Sequence, residues 1–264
     1  MTASQASSSL PDVQSSLETR DIAIHRVGVT SVSYPIEVSS GESIQPTVAS
    51  FDMFVSLDAA SRGTHMSRFM QALRDWKSAF HLRSFEEFAQ SLRTRLESDS
   101  AEVRVRFPFF VDRSAPVTGE TGKVLLEITI EALSGKNGDV KVSVSGPATS
   151  LCPCSKKVSD RGAHNQRCEL TVSVRLSPQG ELSLDELFQI MEQAASTQIF
   201  PVLKRSDEKW VTEDAFDHPK FVEDIVRDLA RALAEDDRIA WYQCSSENFE
   251  SIHQHNAYAQ IESP

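Results

Sequence analysis

The apolar residues of this chain keep two different periods, and the order in which the periods change constrains the fold more than any single motif. Phe51, Met53, Val55 and Leu57 alternate with Asp52, Ser56 and Asp58, the period of a half-buried strand. Residues 22–38 read as the strand before it. The period then lengthens. Met66, Phe69, Met70 and Leu73 recur at three and four residues, which makes a helix face. Ser84, with Glu87 three residues on, predicts a capping box for a second helix carrying Phe85, Phe88, Leu92 and Leu96. Two strands follow, one with Val103, Val105, Phe107 and Phe109, the other with Val124, Leu126, Ile128 and Ile130.

The run from Ser134 through Asn137 to Gly138 reads as a turn and as the boundary between two halves. The order then repeats. Val140, Val142 and Val144 mark one strand; Leu170, Val172, Val174 and Leu176 mark the next. Ser183 with Glu186 predicts a capping box for a helix with Leu187, Ile190, Met191 and Ala194. A further helix is expected from about Asp217 or His218, with Pro219 in its first turn and Phe221, Ile225, Leu229 and Leu233 on its inner face. Strands at roughly 238–244 and 251–262 close the chain. Strand-strand-helix-helix-strand-strand is thus written twice: residues 1–20 as a mobile tail, 21–134 as the first unit, 135–264 as the second. Strands adjacent in sequence favour antiparallel pairing, so the fold class is α+β. Partner copies could close such half-sheets into a barrel and remove the exposed edges.

The charge and cysteine content narrow the function. The formal net charge of −11 disfavours a nucleic-acid partner. No apolar run approaches the length of a membrane helix. The Ser-rich start, residues 1–16, lacks the basic and apolar regions of a signal peptide. Only four cysteines are present, two of them separated by one residue. That argues against a disulfide framework and for a reducing cytoplasm.

Four sets of residues could carry chemistry. The first is Cys152, Cys154 and His164, two thiols and an imidazole within thirteen residues of a Gly-, Pro- and Ser-containing loop. Thiolate and imidazole suit a borderline-soft metal, although a closed four-ligand zinc site is not spelled out nearby. The second is the stretch 204–213, where Glu208 could add an oxygen ligand; as sequence it reads as an exposed connection between helices. Basic residues cluster around both: Lys156, Lys157, Arg161, Arg167, Lys204, Arg205 and Lys209. The third is Glu223 with Asp224 in a helix first turn, where the helix dipole alone accounts for acidic residues. The fourth is His253 and His255. In a strand these would share one face, roughly 6.5 to 7 Å apart, and could act as ligands or as acid and base. Thr64, before the first helix, reads as its N-cap.

With these residues collected, the chain resembles the type IB GTP cyclohydrolases, metal-dependent bacterial enzymes. The matching segments start at Leu10 to Gln14 and include Gly63 to Phe69, Cys152 to Ser155, Gly162 to Arg167, Leu203 to Lys209, Val211 to Glu213, Phe221 to Asp224 and Ser251 to His253. The resemblance implies a bimodular tunnelling fold and a homotetramer with sites between subunits. It implies hydrolysis of GTP to 7,8-dihydroneopterin triphosphate and formate, the entry to folate biosynthesis. It further implies a divalent metal (zinc, manganese or iron) on Cys152, His164 and Glu208, with Cys154 in the same motif. Glu223 would anchor the guanine edge, and His253 and His255 would stand near the metal. Cations for the triphosphate would come from Arg68, Arg167, Lys204 and Arg205. Two alternatives remain at this point: a deazaguanine nitrile reductase of the same fold, and a non-enzymatic binding module with a redox or structural Cys pair.

Overall fold

A computed structural model describes Gln14 and residues 16–136 and 138–264. The segment Leu10 to Val13, most of the expected tail, and Asn137 of the expected boundary turn lie outside the described residues. The strands are β1 (Ile24–Ser40), β2 (Ser43–Leu57), β3 (Ala101–Ser114), β4 (Thr121–Ser134), β5 (Asp139–Leu151), β6 (Asn165–Leu176), β7 (Ile239–Asn248) and β8 (Ala257–Glu262). The helices are α1 (Met66–Asp75), α2 (Ser84–Arg95), α3 (Pro153–Val158), α4 (Leu184–Gln193), α5 (Arg205–Asp217) and α6 (Val222–Ala234).

All eight strands form one sheet in the order of the chain, every neighbour antiparallel. Hydrogen bonding continues across the turn after Ser134, where Leu133 pairs with Asp139. One face is apolar. In β3 the residues from Ala101 to Arg113 alternate buried and outward without a break, as a sheet with one covered face requires. The cover comes from α2 on β3 and β4, α4 on β5, and α6 on β7 and β8. Gly146 makes one of these contacts possible: a Cβ there would stand 2.4 Å from the Phe188 ring of α4. The outward face carries charge pairs such as Arg26–Glu102 and Arg175–Asp139. Among the described strands only β1 and β8 end the sheet, and the edge of β1 is partly closed where Phe80 bonds Glu37 and Ser39.

The periodicity places most elements, and the differences have identifiable causes. Ser183 and Glu186 form the expected capping box on α4. Ser84 and Glu87 do not form one: Ser84 is the first helical residue, and its hydroxyl turns back to bond the carbonyl and amide of His81. Thr64 does not cap α1 either, because the helix begins one residue later, with His65 as the flanking residue. Met66 and Met70 of α1 face outward, leaving Phe69, Ala72 and Leu73 to the core. The expected connection at 204–213 is a helix, α5, so the second half has one long helix more than the first. Pro219 precedes α6, which starts at Val222.

Candidate active site

In a sheet whose strands follow chain order, the odd-to-even hairpin turns all emerge at one end. Here these are residues 41–42, 115–120, 152–164 and 249–256. The Cys/His loop and the loop with His253 and His255 therefore leave the same end, from β5–β6 and β7–β8. A third segment joins them. The amide of Lys220, just before α6, donates to the carbonyl of Leu151 at 3.0 Å, which brings the start of α6 and Glu223 to the end of β5.

Within the first loop, Cys152 is the N-cap of the short helix α3, with Pro153 at its first position. The Cys152 sulfur accepts a bond from the Ser155 amide at 3.5 Å, and the Cys152 amide donates to the His164 carbonyl at 3.1 Å. The loop is thus closed on itself, with Cys152 and His164 at its two ends, both half-buried. Cys154 is exposed. Cys168 and Cys244 are different in kind: both lie in the core, where burial pushes their thiols up to about 12 and about 11. All four cysteines are free.

The helix α5 flanks this loop and is pinned at both ends. At its start the buried Asp207 carboxylate accepts from the amides of Val117, Thr118 and Lys204 and from the Thr118 hydroxyl. Burial opposes its charge, but these bonds outweigh it and hold the carboxyl well below the usual range. At its end Lys156 of α3 donates to the Phe216 carbonyl and lies 4.1 Å over the Phe216 ring. Glu208 is exposed in the first turn of α5. Among the described residues no three His, Cys, Asp or Glu side chains form a group able to hold one ion, so Glu208 does not join Cys152 and His164 around one point within a chain.

His253 and His255 are not strand residues. They lie in the exposed turn before β8, with rings stacked 4.9 Å apart and 9° from parallel. The turn is held at its start by the Phe249 amide on the Arg167 carbonyl, 3.0 Å, and at its end by Asn256 on Glu247, 2.8 Å. Arg167 is exposed at the same end, at the start of β6. Arg205 is exposed at the start of α5, while neighbouring Lys204 is paired with Glu120, which raises its pKa. Lys209 pairs with Glu213. Arg68 belongs to the other half: it bonds the Arg95 carbonyl at 3.3 Å, at the end of α2. Glu223 is exposed in the first turn of α6. Neither the cleft of about 510 Å³ between Gly41, Arg83, Gly180 and Glu186 nor the one of about 580 Å³ between Asp75, Glu87 and Arg95 contains any of these residues.

Behind the loops lies a buried polar cluster that the motifs do not announce: Ser150, Gln166, Ser246 and Asn248, none more than 8% exposed. One signal could have found it. In β5, β6 and β7 the even-numbered residues Val144, Val172 and Cys244 face the core, and all four polar residues share that parity at the strand ends.

The family model described as type I GTP cyclohydrolase folE2 matches residues 10–259. A GTP cyclohydrolase FolE2 from Nitrosomonas eutropha is 47% identical over 256 residues, 96% of this chain and 95% of that one. One from Herminiimonas arsenicoxydans is 46% identical, with 97% of each chain covered. Among solved structures, a Bacillus sp. TB-90 urate oxidase mutant superposes with a TM-score of 0.54 at 9% identity, over 91% of this chain and 99% of that one. A uricase from Arthrobacter globiformis gives 0.51 at 11% identity, over 90% and 92%. At such identities the uricase likeness speaks for the tunnelling fold alone. The sequence match carries the assignment, and on it the chain belongs to the type I GTP cyclohydrolase FolE2 family.

Proposed function

We propose that this chain hydrolyses GTP to 7,8-dihydroneopterin triphosphate and formate, the first step of folate biosynthesis, with a divalent metal (zinc, manganese or iron) held by Cys152 and His164 and by Glu208, which joins them only when the ion draws the three together. The observation that carries the reading is the convergence of the Cys152–His164 loop, the start of α6 and the His253–His255 turn at one end of the sheet, in a chain with this family match. Two of the proposed ligands suit the metal. Cys152 and His164 are closed into one loop, and His164 Nδ1 is 3.1 Å from the Gln166 side-chain oxygen, which leaves Nε2 for the ion. Cys154, exposed and one residue into α3, is then the neighbour rather than the ligand.

When bound, the metal would supply a water acidic enough to attack C8 of the purine. The chain's own residues do the rest. The Glu223 carboxylate accepts two N–H groups from the guanine edge and fixes its orientation. His253 or His255 hands a proton to the ring nitrogen released as the C8 bond breaks. Arg167 and Arg205 meet the triphosphate. Lys204 contributes by exchanging Glu120 for phosphate, and Arg68, on the other half, contributes from a neighbouring copy. That arrangement requires an assembly. We propose a homotetramer of two-unit chains (21–134 and 135–264) whose sheets close into a barrel; the edges of β1 and β8 support it. No described helix is long and apolar enough to cross a membrane. The nitrile reductase and binding-module alternatives lose their ground with the family assignment.

The test is turnover of GTP by purified protein before and after chelation, with zinc, manganese and iron restored separately. Formate and a pterin that fluoresces on oxidation should appear only with metal. Folded protein that gives neither with any of the three metals refutes the activity.

A further inference from the structure

The hydrogen bonds behind His164 fix one another's direction. Ser150 Oγ has three partners: the Lys220 carbonyl at 3.1 Å, the Asn248 side-chain amide at 3.0 Å and the Gln166 side-chain amide at 3.4 Å. A hydroxyl has one proton and two lone pairs, so the set is complete. The carbonyl can only accept, so it takes the proton. Both amides must then offer their nitrogens. The Asn248 amide so turned leaves its oxygen to accept from the Ser246 hydroxyl at 3.0 Å. With the Gln166 nitrogen committed to Ser150, its oxygen faces His164 Nδ1 at 3.1 Å, and an amide oxygen can only accept. The neutral His164 ring must therefore carry its proton on Nδ1.

We infer that Gln166, held by Ser150, is a positioning residue that sets the His164 tautomer and presents a bare Nε2 for ligation. The same hydroxyl ties three parts of the site together. Lys220 leads into the helix of Glu223, Asn248 leads into the turn of His253 and His255, and Gln166 leads back to His164. All the side chains between His164 and the Lys220 backbone are buried, so water does not compete for these bonds. The inference rests on the proposed metal role of His164 for its consequence but not for its geometry, and the two can be tested apart.

The first readout needs no metal. In metal-free protein at a pH where imidazole is neutral, nitrogen NMR of the His164 ring, assigned by its loss in His164→Ala, should show Nδ1 protonated and Nε2 bare. Imidazole in water prefers the opposite form. Gln166→Leu should return the ring to that preference, and Gln166→Glu, which keeps the acceptor, should retain the Nδ1 proton. Ser150→Ala leaves Gln166 in place but frees its amide to rotate, and should give a mixture; it also covers the case in which Gln166→Leu fails to fold. The second readout is zinc alone, in competition with a chelator. Gln166→Leu should bind about 10- to 100-fold more weakly, with Gln166→Glu much nearer the parent. A wild-type ring protonated on Nε2, or a tautomer indifferent to Gln166→Leu, overturns the inference. The stated tautomer with zinc affinity unchanged in both Gln166→Leu and His164→Ala supports the relay and removes His164 from the metal site.

Discussion

The first half of the sheet, β1–β4 under α1 and α2, and the second, β5–β8 under α4 and α6, share a layout and fill it differently. The first is packed with aromatic rings. Trp76, Phe80, Phe85 and Phe88 meet at centroid distances from 4.6 to 5.6 Å, and Phe51 and Phe107 extend the cluster. In the second half Phe188 is the one fully buried phenylalanine among the described residues. At the loop end, polar groups occupy inward positions of β5, β6 and β7 where continued apolar alternation would have been simpler. Apolar contacts are non-directional and gain from area; hydrogen bonds are directional and gain from geometry. A scaffold can be built from the former. Loops that must present named atoms at fixed angles need the latter, and the cost is a core with less apolar area where the function lies.

If this contrast holds, stability and activity respond in opposite order. The largest loss of stability belongs to the aromatic half: Phe88→Ala should cost about 3–5 kcal/mol in denaturant unfolding. A cost under about 1 kcal/mol, the level of a surface change, would break the comparison.

Next is the seam between the halves. Arg113 of β3 pairs with Glu192 of α4 through both carboxylate oxygens, at 2.8 and 3.0 Å, and with Asp185 at 2.7 Å. Burial pushes Glu192 up to about 7 from an ordinary 4.5, against the pull of Arg113 and with a smaller push from Asp185. The folded protein then holds this proton more tightly than the unfolded chain. The stability so gained is complete below pH 4.5 and lost as pH rises to about 7. Glu192→Gln should flatten the pH dependence of unfolding in that window by about 3 kcal/mol. An unchanged slope would mean that Arg113 holds the carboxylate ionised throughout.

Ser150→Ala, which leaves two buried amides short of a partner, should cost about 1–3 kcal/mol. That is less than Phe88→Ala, yet its effect on zinc affinity should be the larger of the two. The smallest stability change is expected at the exposed turn. His253→Ala should alter unfolding by under about 0.5 kcal/mol, while lowering turnover about 10²- to 10⁴-fold if His253 is the proton carrier. Normal turnover in His253→Ala, together with a loss of that size in His255→Ala, would move the role to His255.

The same contrast explains what could be read from the sequence. Regions held by apolar area print their period in the chain, and α2, α4, α6, β3 and β4 were legible for that reason. The helix α5 was not: it buries only Asp207 and Ala215, so it carries no apolar stripe and passes for a connection. His253 and His255 alternate with Gln254 and Asn256 in a strand-like period, but the bond from Asn256 to Glu247 closes a turn there instead. The Cys152–His164 loop was visible because its residue types are rare and close together. The support behind it, Ser150, Gln166 and Asn248, consists of common polar residues, and only their inward parity distinguishes them.

The most direct test of the account is formate release from GTP by Cys152→Ala, measured beside its unfolding midpoint under the conditions in which the parent turns over. Cys152 is half-buried at the end of a surface loop, outside the hydrophobic core. A metal site on Cys152 predicts a fully folded protein with the midpoint of the metal-free parent, no bound metal and no formate. Turnover at the parent's rate with metal retained would contradict it and remove the Cys/His loop from the chemistry.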